Sequence, residues 1–146
     1  MAIIKEMKIT VSSVIENLSP SGFPEGEPER TAVSADGFLR ISEDEYNITY
    51  SEVTEGDRVI SDIVISGGKI TVKRRGALSS DMIFCEGESH TSLYTVAAYS
   101  FDTVITTRKI RCNMTRDGGR VDIFYDMKIG GADKRVRMKI ECKGAG

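Results

Sequence analysis

Histidine occurs once in this chain, at position 90, and cysteine three times, at 85, 112 and 142. An odd number of widely spaced thiols with a single imidazole builds neither a disulfide framework nor a zinc cluster, so the cysteines are expected as free thiols. Proline is equally scarce: all three lie between Leu18 and Arg30. No apolar run approaches the length of a membrane span. The N-terminal MAIIKEMKIT also lacks the basic start, long apolar stretch and small-residue cleavage site of a secretory signal. The expectation is a cytoplasmic protein with no membrane partner, in which the glycosylation patterns at Asn17, Asn47 and Asn113 carry no weight.

An excess of one charge is missing as well. Twenty basic against 22 acidic residues leave a net charge of −2, which argues against a protein built to coat nucleic acid. The balance is uneven along the chain, however. Residues 1–57 hold four basic and twelve acidic side chains, and residues 58–146 hold sixteen and ten. Solvated outer faces of strands account for such runs.

Helical periodicity is absent, and alternation with a period of two takes its place. In KEMKITVSSVI, the residues Met7, Ile9, Val11, Ser13 and Ile15 share one face. In GRVDIFYDMKI the shared face is Val121, Ile123, Tyr125, Met127 and Ile129, and in KRVRMKIEC it is Val136, Met138, Ile140 and Cys142. Seven further runs lie between these, from FLRIS to FDTVITTRKIRCNMT, separated by glycine-bearing turns such as Gly67-Gly68 and Asp117-Gly118-Gly119. Antiparallel strands joined by short turns predict an all-β chain of 146 residues forming one domain. Its sheet is expected to close on itself and so remove exposed edges. The expected form is a single up-and-down antiparallel barrel of about eight strands, with room inside for side chains or one small ligand. The segment 18–30, LSPSGFPEGEPER, carries every proline and is expected to be a solvated loop rather than a central strand.

Catalytic signatures are also lacking. The glycines sit in hairpin turns rather than between a strand and a helix, which excludes a nucleophile elbow, a phosphate-cradling loop and a dinucleotide fingerprint. Asp122 and Asp126 fall on the solvent face by parity and read as surface charges. More informative are polar residues whose parity sends them inward. Arg74 shares a face with Ile70 and Val72, and Arg108 shares one with Ile110, Cys112 and Met114 unless a bulge near Thr106-Thr107 rotates it outward. A guanidinium in an apolar interior needs an acid, carbonyls, water or a bound anion. His90, Ser92 and Tyr94 share a face that is neither clearly apolar nor clearly polar, so His90 is either a site residue or a wall residue. Cys85 alternates with an inward Phe84 and is expected to be more reachable than Cys112 or Cys142.

From Arg74 to Tyr125 the order of Arg74-x-Gly76, Ser80-x-Met82-x-Phe84, Gly87, His90, Tyr94, Thr106-Thr107, Gly118-Gly119 and Tyr125 resembles the YwiB-like family of small bacterial proteins, a domain of unknown function among the lipocalin-like, or calycin, β-barrels. Family members typically follow the tyrosine with a Pro-aromatic-Gly turn, and Val96-Ala97-Ala98-Tyr99 departs from it. The resemblance implies a barrel and brings no activity, cofactor or metal with it. The functional expectation is non-enzymatic binding of a small, partly apolar, anionic ligand inside the barrel, by Arg74, Ser80, His90, Tyr94 and Arg108. The rival is an interaction protein whose barrel is filled by Phe84, Tyr125, Met82, Met127 and Met138. An enzyme would need His90 to reach a second titratable group, and nucleic acid is the least expected partner.

Overall fold

The computed structural model describes residues 2–54 and 56–144. Ten strands follow one another: β1 Ile3–Leu18, β2 Pro24–Ser42, β3 Glu45–Thr54, β4 Asp57–Ser66, β5 Lys69–Gly76, β6 Leu78–Cys85, β7 Ser89–Val96, β8 Tyr99–Thr115, β9 Gly118–Ile129 and β10 Ala132–Gly144. Each pairs antiparallel with its chain neighbours, and β10 returns to β1 from Met7↔Gly144 to Asn17↔Lys134, closing a barrel. All ten alternating runs are therefore strands, and the expectation of about eight is corrected upward. A wider barrel encloses more than one file of side chains can fill.

The inward face is apolar over most of its length. Met7, Ile9, Leu39, Ile48, Ile63, Ile70, Val72, Phe84, Ile105, Ile123 and Ile140 are all essentially inaccessible to solvent. These residues fill the half of the barrel near the β2–β3, β4–β5, β6–β7 and β8–β9 turns, and Phe84 packs on Tyr125 with ring centroids 4.8 Å apart. Burying side chains of this size stabilises the fold by about 1.5–3 kcal/mol each.

Two irregularities alter the expected layout. The segment 18–30 is a loop only at its start, because β2 begins at Pro24 and runs beside β1. The prolines are accommodated as strand geometry requires. Pro20 lies in the turn and Pro24 opens the strand, while Pro28 falls in the bulge between the pairs Ile15↔Glu29 and Asn17↔Glu25, where no ladder hydrogen bond is needed. In β8 the register slips between Thr107 and Lys109, so Arg108 is an extra residue opposite β9. Inward positions are odd before the bulge (Thr103, Ile105, Thr107) and even after it (Ile110, Met114).

The seam between β6 and β7 is short, with only Leu78↔Val96 and Ser79↔Thr95 in register. Beyond these pairs the connector takes over the bridging. Gly87 donates to the Thr107 carbonyl at 2.9 Å, Thr107 donates to the Glu88 carbonyl at 3.0 Å, and the Ile110 amide donates to Glu86 Oε1 at 2.7 Å.

Candidate functional site: the barrel cavity

At the opposite end, ringed by the β1–β2, β3–β4, β5–β6, β7–β8 and β9–β10 turns, the barrel is not filled. A cavity of about 460 Å³ opens there, lined from β1, β2, β3 and β5 through β10. One wall is polar for a reason visible in the register. Tyr50 lies opposite Ser61, Ser61 opposite Arg74, and Arg74 opposite Ser80, so four polar side chains form one row across β3 to β6, of which Tyr50, Arg74 and Ser80 line the cavity and Ser61 is buried beside them. Facing them, Ile15, Met127, Ile129, Val136 and Met138 make an apolar wall on β1, β9 and β10. Ser92, Tyr94 and Thr103 continue the polar side.

Arg74 is the charged centre of this row. Its side chain is half-buried, its Nε has no hydrogen-bond partner, and no carboxylate among the described residues lies within 4.0 Å of it. The neighbouring Arg75 does find an acid, gripping both oxygens of Asp81 at 2.9 and 3.1 Å on the outer face. Arg74 is thus distinguished by its inward position alone. Ser61 Oγ, Ser80 Oγ and Thr103 Oγ1 are likewise buried without a partner. Tyr125, on the cavity floor, has its phenol pushed up to about 12 by burial, with the charge of Arg74 acting in the other direction. Glu52 and Lys134 stand in the lining as well, Lys134 donating to Asn17 Oδ1 at 2.8 Å.

Of the residues expected to form a site, Arg74, Ser80 and Tyr94 come together in this cavity. His90 and Arg108 do not. His90 lies opposite Ile105 on the inner side of β7, but toward the filled end, where its Nε2 is 3.4 Å from Glu88 Oε1. Glu88 is held below the ordinary carboxylate range first by a hydrogen bond from Cys85 and less by His90, and Cys85 is raised in turn. His90 therefore sits at the start of β7 beside the β6–β7 connector and does not line the cavity. Arg108 is turned outward by the bulge, and its Nε and a terminal nitrogen both lie 2.6 Å from Asp126 Oδ2. The inward reading of Arg108 assumed unbroken alternation, which an extra residue reverses. Tyr50 and Thr103 also line the cavity and Ser61 lies beside it, none of them part of the motifs that mark the other residues. The same parity would have shown Ser61 among Val59, Ile63 and Ile65, and Tyr50 beside Ile48.

A family model described as a domain of unknown function, DUF1934, matches residues 19–140. The uncharacterized beta-barrel protein YwiB of Bacillus subtilis (strain 168) is 26% identical over 135 residues, spanning 92% of this chain and 90% of that protein. The crystal structure of the ywiB protein from Bacillus subtilis matches with a TM-score of 0.84 at 24% identity, over 98% of this chain and 94% of that one, a likeness of fold. With the family model spanning most of the barrel, from the β1–β2 turn into β10, this chain belongs to the DUF1934 family.

Proposed function

We propose that the protein is a non-enzymatic binding module whose cavity holds a small, partly apolar, singly anionic ligand, in the manner of calycin-type barrels. The observation that carries this reading is Arg74, an inward guanidinium with no acidic partner among the described residues, set in a row of unpartnered hydroxyls and facing an apolar wall. A guanidinium turned into a half-buried pocket with one apolar wall is partly desolvated and lacks an acid, and an anionic ligand supplies that partner. A volume of about 460 Å³ falls in the range of small-molecule sites, roughly 300–1,000 Å³. Ser80, Tyr94 and Thr103 offer hydroxyls to the polar edge of the ligand, and Ile15, Met127 and Val136 receive its apolar part. The lining includes neither histidine nor cysteine, which favours retention over turnover. A cytoplasmic location fits the three free thiols.

The test is native mass spectrometry of protein purified from its own host, paired with titration by the anionic fluorophore anilinonaphthalene sulfonate. Wild type should carry a small-molecule adduct and enhance the fluorophore saturably. Arg74→Met should lose both while unfolding at least as late in urea, since no carboxylate is stranded. Absence of both signals in wild type, or an unchanged Arg74→Met, sinks the reading and leaves an interaction protein that takes no ligand in its place.

A further inference from the structure

The outer face of β8, β9 and β10 collects the basic residues that the chain-wide balance conceals. From Arg108 to the end of β8, from Arg120 to Lys128 on β9 and from Asp133 to Lys143 on β10, the outward side chains include nine cations and four acids, on a chain whose overall charge is −2. Some of these cations are neutralised locally. Arg108 and Arg135 share Asp126 at 2.6 and 3.3 Å, Arg120 holds Asp122 at 3.0 Å, and Lys139 and Lys143 lie 3.7 and 3.9 Å from Glu141. Lys109, Arg111 and Arg137 have no carboxylate within 4.0 Å among the described residues.

These three are adjacent on the sheet. Lys109 and Arg137 flank Phe124 in direct register on its two sides, and the Arg137 guanidinium lies 5.3 Å from the ring centroid. Arg111 sits opposite Asp122, one outward position further along. Outward residues on one strand recur at about 6.6–6.8 Å and neighbouring strands lie about 4.8 Å apart. Cations at this repeat engage an anion repeated along a polymer better than a solitary one.

We propose that this wall is a docking surface for single-stranded nucleic acid, with the phosphodiester backbone tracking Lys109, Arg111 and Arg137 and a base resting on the Phe124–Arg137 pair. Positive tracks combined with aromatic platforms are how single strands are held without sequence readout. A duplex fits poorly, because the wall has no helix or protruding ribbon to enter a groove. A bilayer fits poorly too, because none of the exposed large apolar side chains lies among these outward positions.

The experiment is fluorescence anisotropy of a labelled 20-nucleotide single-stranded oligouridylate at about 50 and 200 mM salt. Saturable binding is expected, weakening about 10- to 100-fold across that range as three to five phosphate contacts imply. The triple variant Lys109→Glu/Arg111→Glu/Arg137→Glu should abolish it, and Phe124→Leu should weaken it severalfold. Both variants should keep the wild-type unfolding midpoint and fluorophore titration, and Arg74→Met should bind the oligonucleotide normally, which separates this surface from the cavity. No binding at the lower salt, equal affinity for a duplex, for polyglutamate or for anionic vesicles, or a triple variant that folds and binds unchanged would overturn the proposal.

Discussion

Tyr125 is the residue through which the cavity should report on pH. Its side chain is buried and its phenol pushed up to about 12 by that burial, whereas an unfolded tyrosine titrates near pH ~10. A group whose folded value is raised contributes stability that is complete below its unfolded value and is lost as the pH climbs toward the folded one. Wild type should therefore lose about 2–3 kcal/mol from this group between about pH 10 and 12. Tyr125→Phe should show an alkaline decline shallower by that amount in urea unfolding at paired pH values. Parallel declines in the two proteins would mean that the phenol is free to ionise in the folded state. Arg74 faces the same floor and makes the opposite case, a charge kept inside without an acid. Its expected tolerance of Met in unfolding experiments contrasts with the ~3–5 kcal/mol that breaking a buried ion pair costs. A fall of that size would reveal an acidic partner in the folded chain.

Within elements, the bulge in β8 turns Arg108 outward, whereas the exposure of Cys112 comes from the reach of β7. Cys112 lies on the inner side with Ile110 and Met114, as alternation suggests, yet it is exposed because β7 reaches no further along β8 than the pair Ser89↔Thr106. Cys142 is buried, its thiol raised to about 11 by that burial, and Cys85 is half-buried beside Glu88. Thiol labelling of the folded protein should modify Cys112 first, Cys85 next and Cys142 last, replacing the expectation that Cys85 leads; early modification of Cys142 would contradict the β9–β10 packing. The β7–β8 hairpin holds the second element-level consequence. The Val96-Ala97-Ala98-Tyr99 turn holds Ala97 at φ +53°, with Val96 paired to Tyr99. Positive φ at the first central residue of a two-residue hairpin is ordinarily glycine's role. Ala97→Gly should raise stability by about 1 kcal/mol in denaturant unfolding, because the left-handed conformation penalises a Cβ by roughly 1–2 kcal/mol. A destabilised Ala97→Gly would show that the turn does not hold this conformation in solution.

Across the whole molecule, what was legible were the ten alternating runs and the inward direction of Arg74 and of Ser80, which shares a face with Phe84, because a period of two is written in side-chain polarity; the mixed polarity of the face holding His90 and Tyr94 leaves its direction unread. What was not legible depends on backbone pairing, which leaves no mark on polarity: which of the two directions open to Arg108 the bulge selects, the continuation of β2 through Glu25 and Arg30, and the place where the barrel is weakest. The β6–β7 seam has two register pairs, whereas the closing β1–β10 seam runs from Met7 to Asn17. The connector bonds from Gly87, Thr107 and Ile110 therefore hold together a stretch that elsewhere is held by a ladder. Opening free energy follows local pairing and burial, so this seam should open well below the cost of global unfolding. Hydrogen exchange should find the amides of Asp81–Cys85 and Lys109–Met114 that face the seam exchanging at least tenfold faster than those of Ile9–Val11 and Val136–Ile140. Glu86→Ala, which removes the acceptor for the Ile110 amide, should quicken the Lys109–Met114 group further while leaving the β1–β10 amides unchanged. Uniform protection around the barrel, or an effect of Glu86→Ala that spreads equally to β1 and β10, would mean that the wall opens only as one cooperative unit.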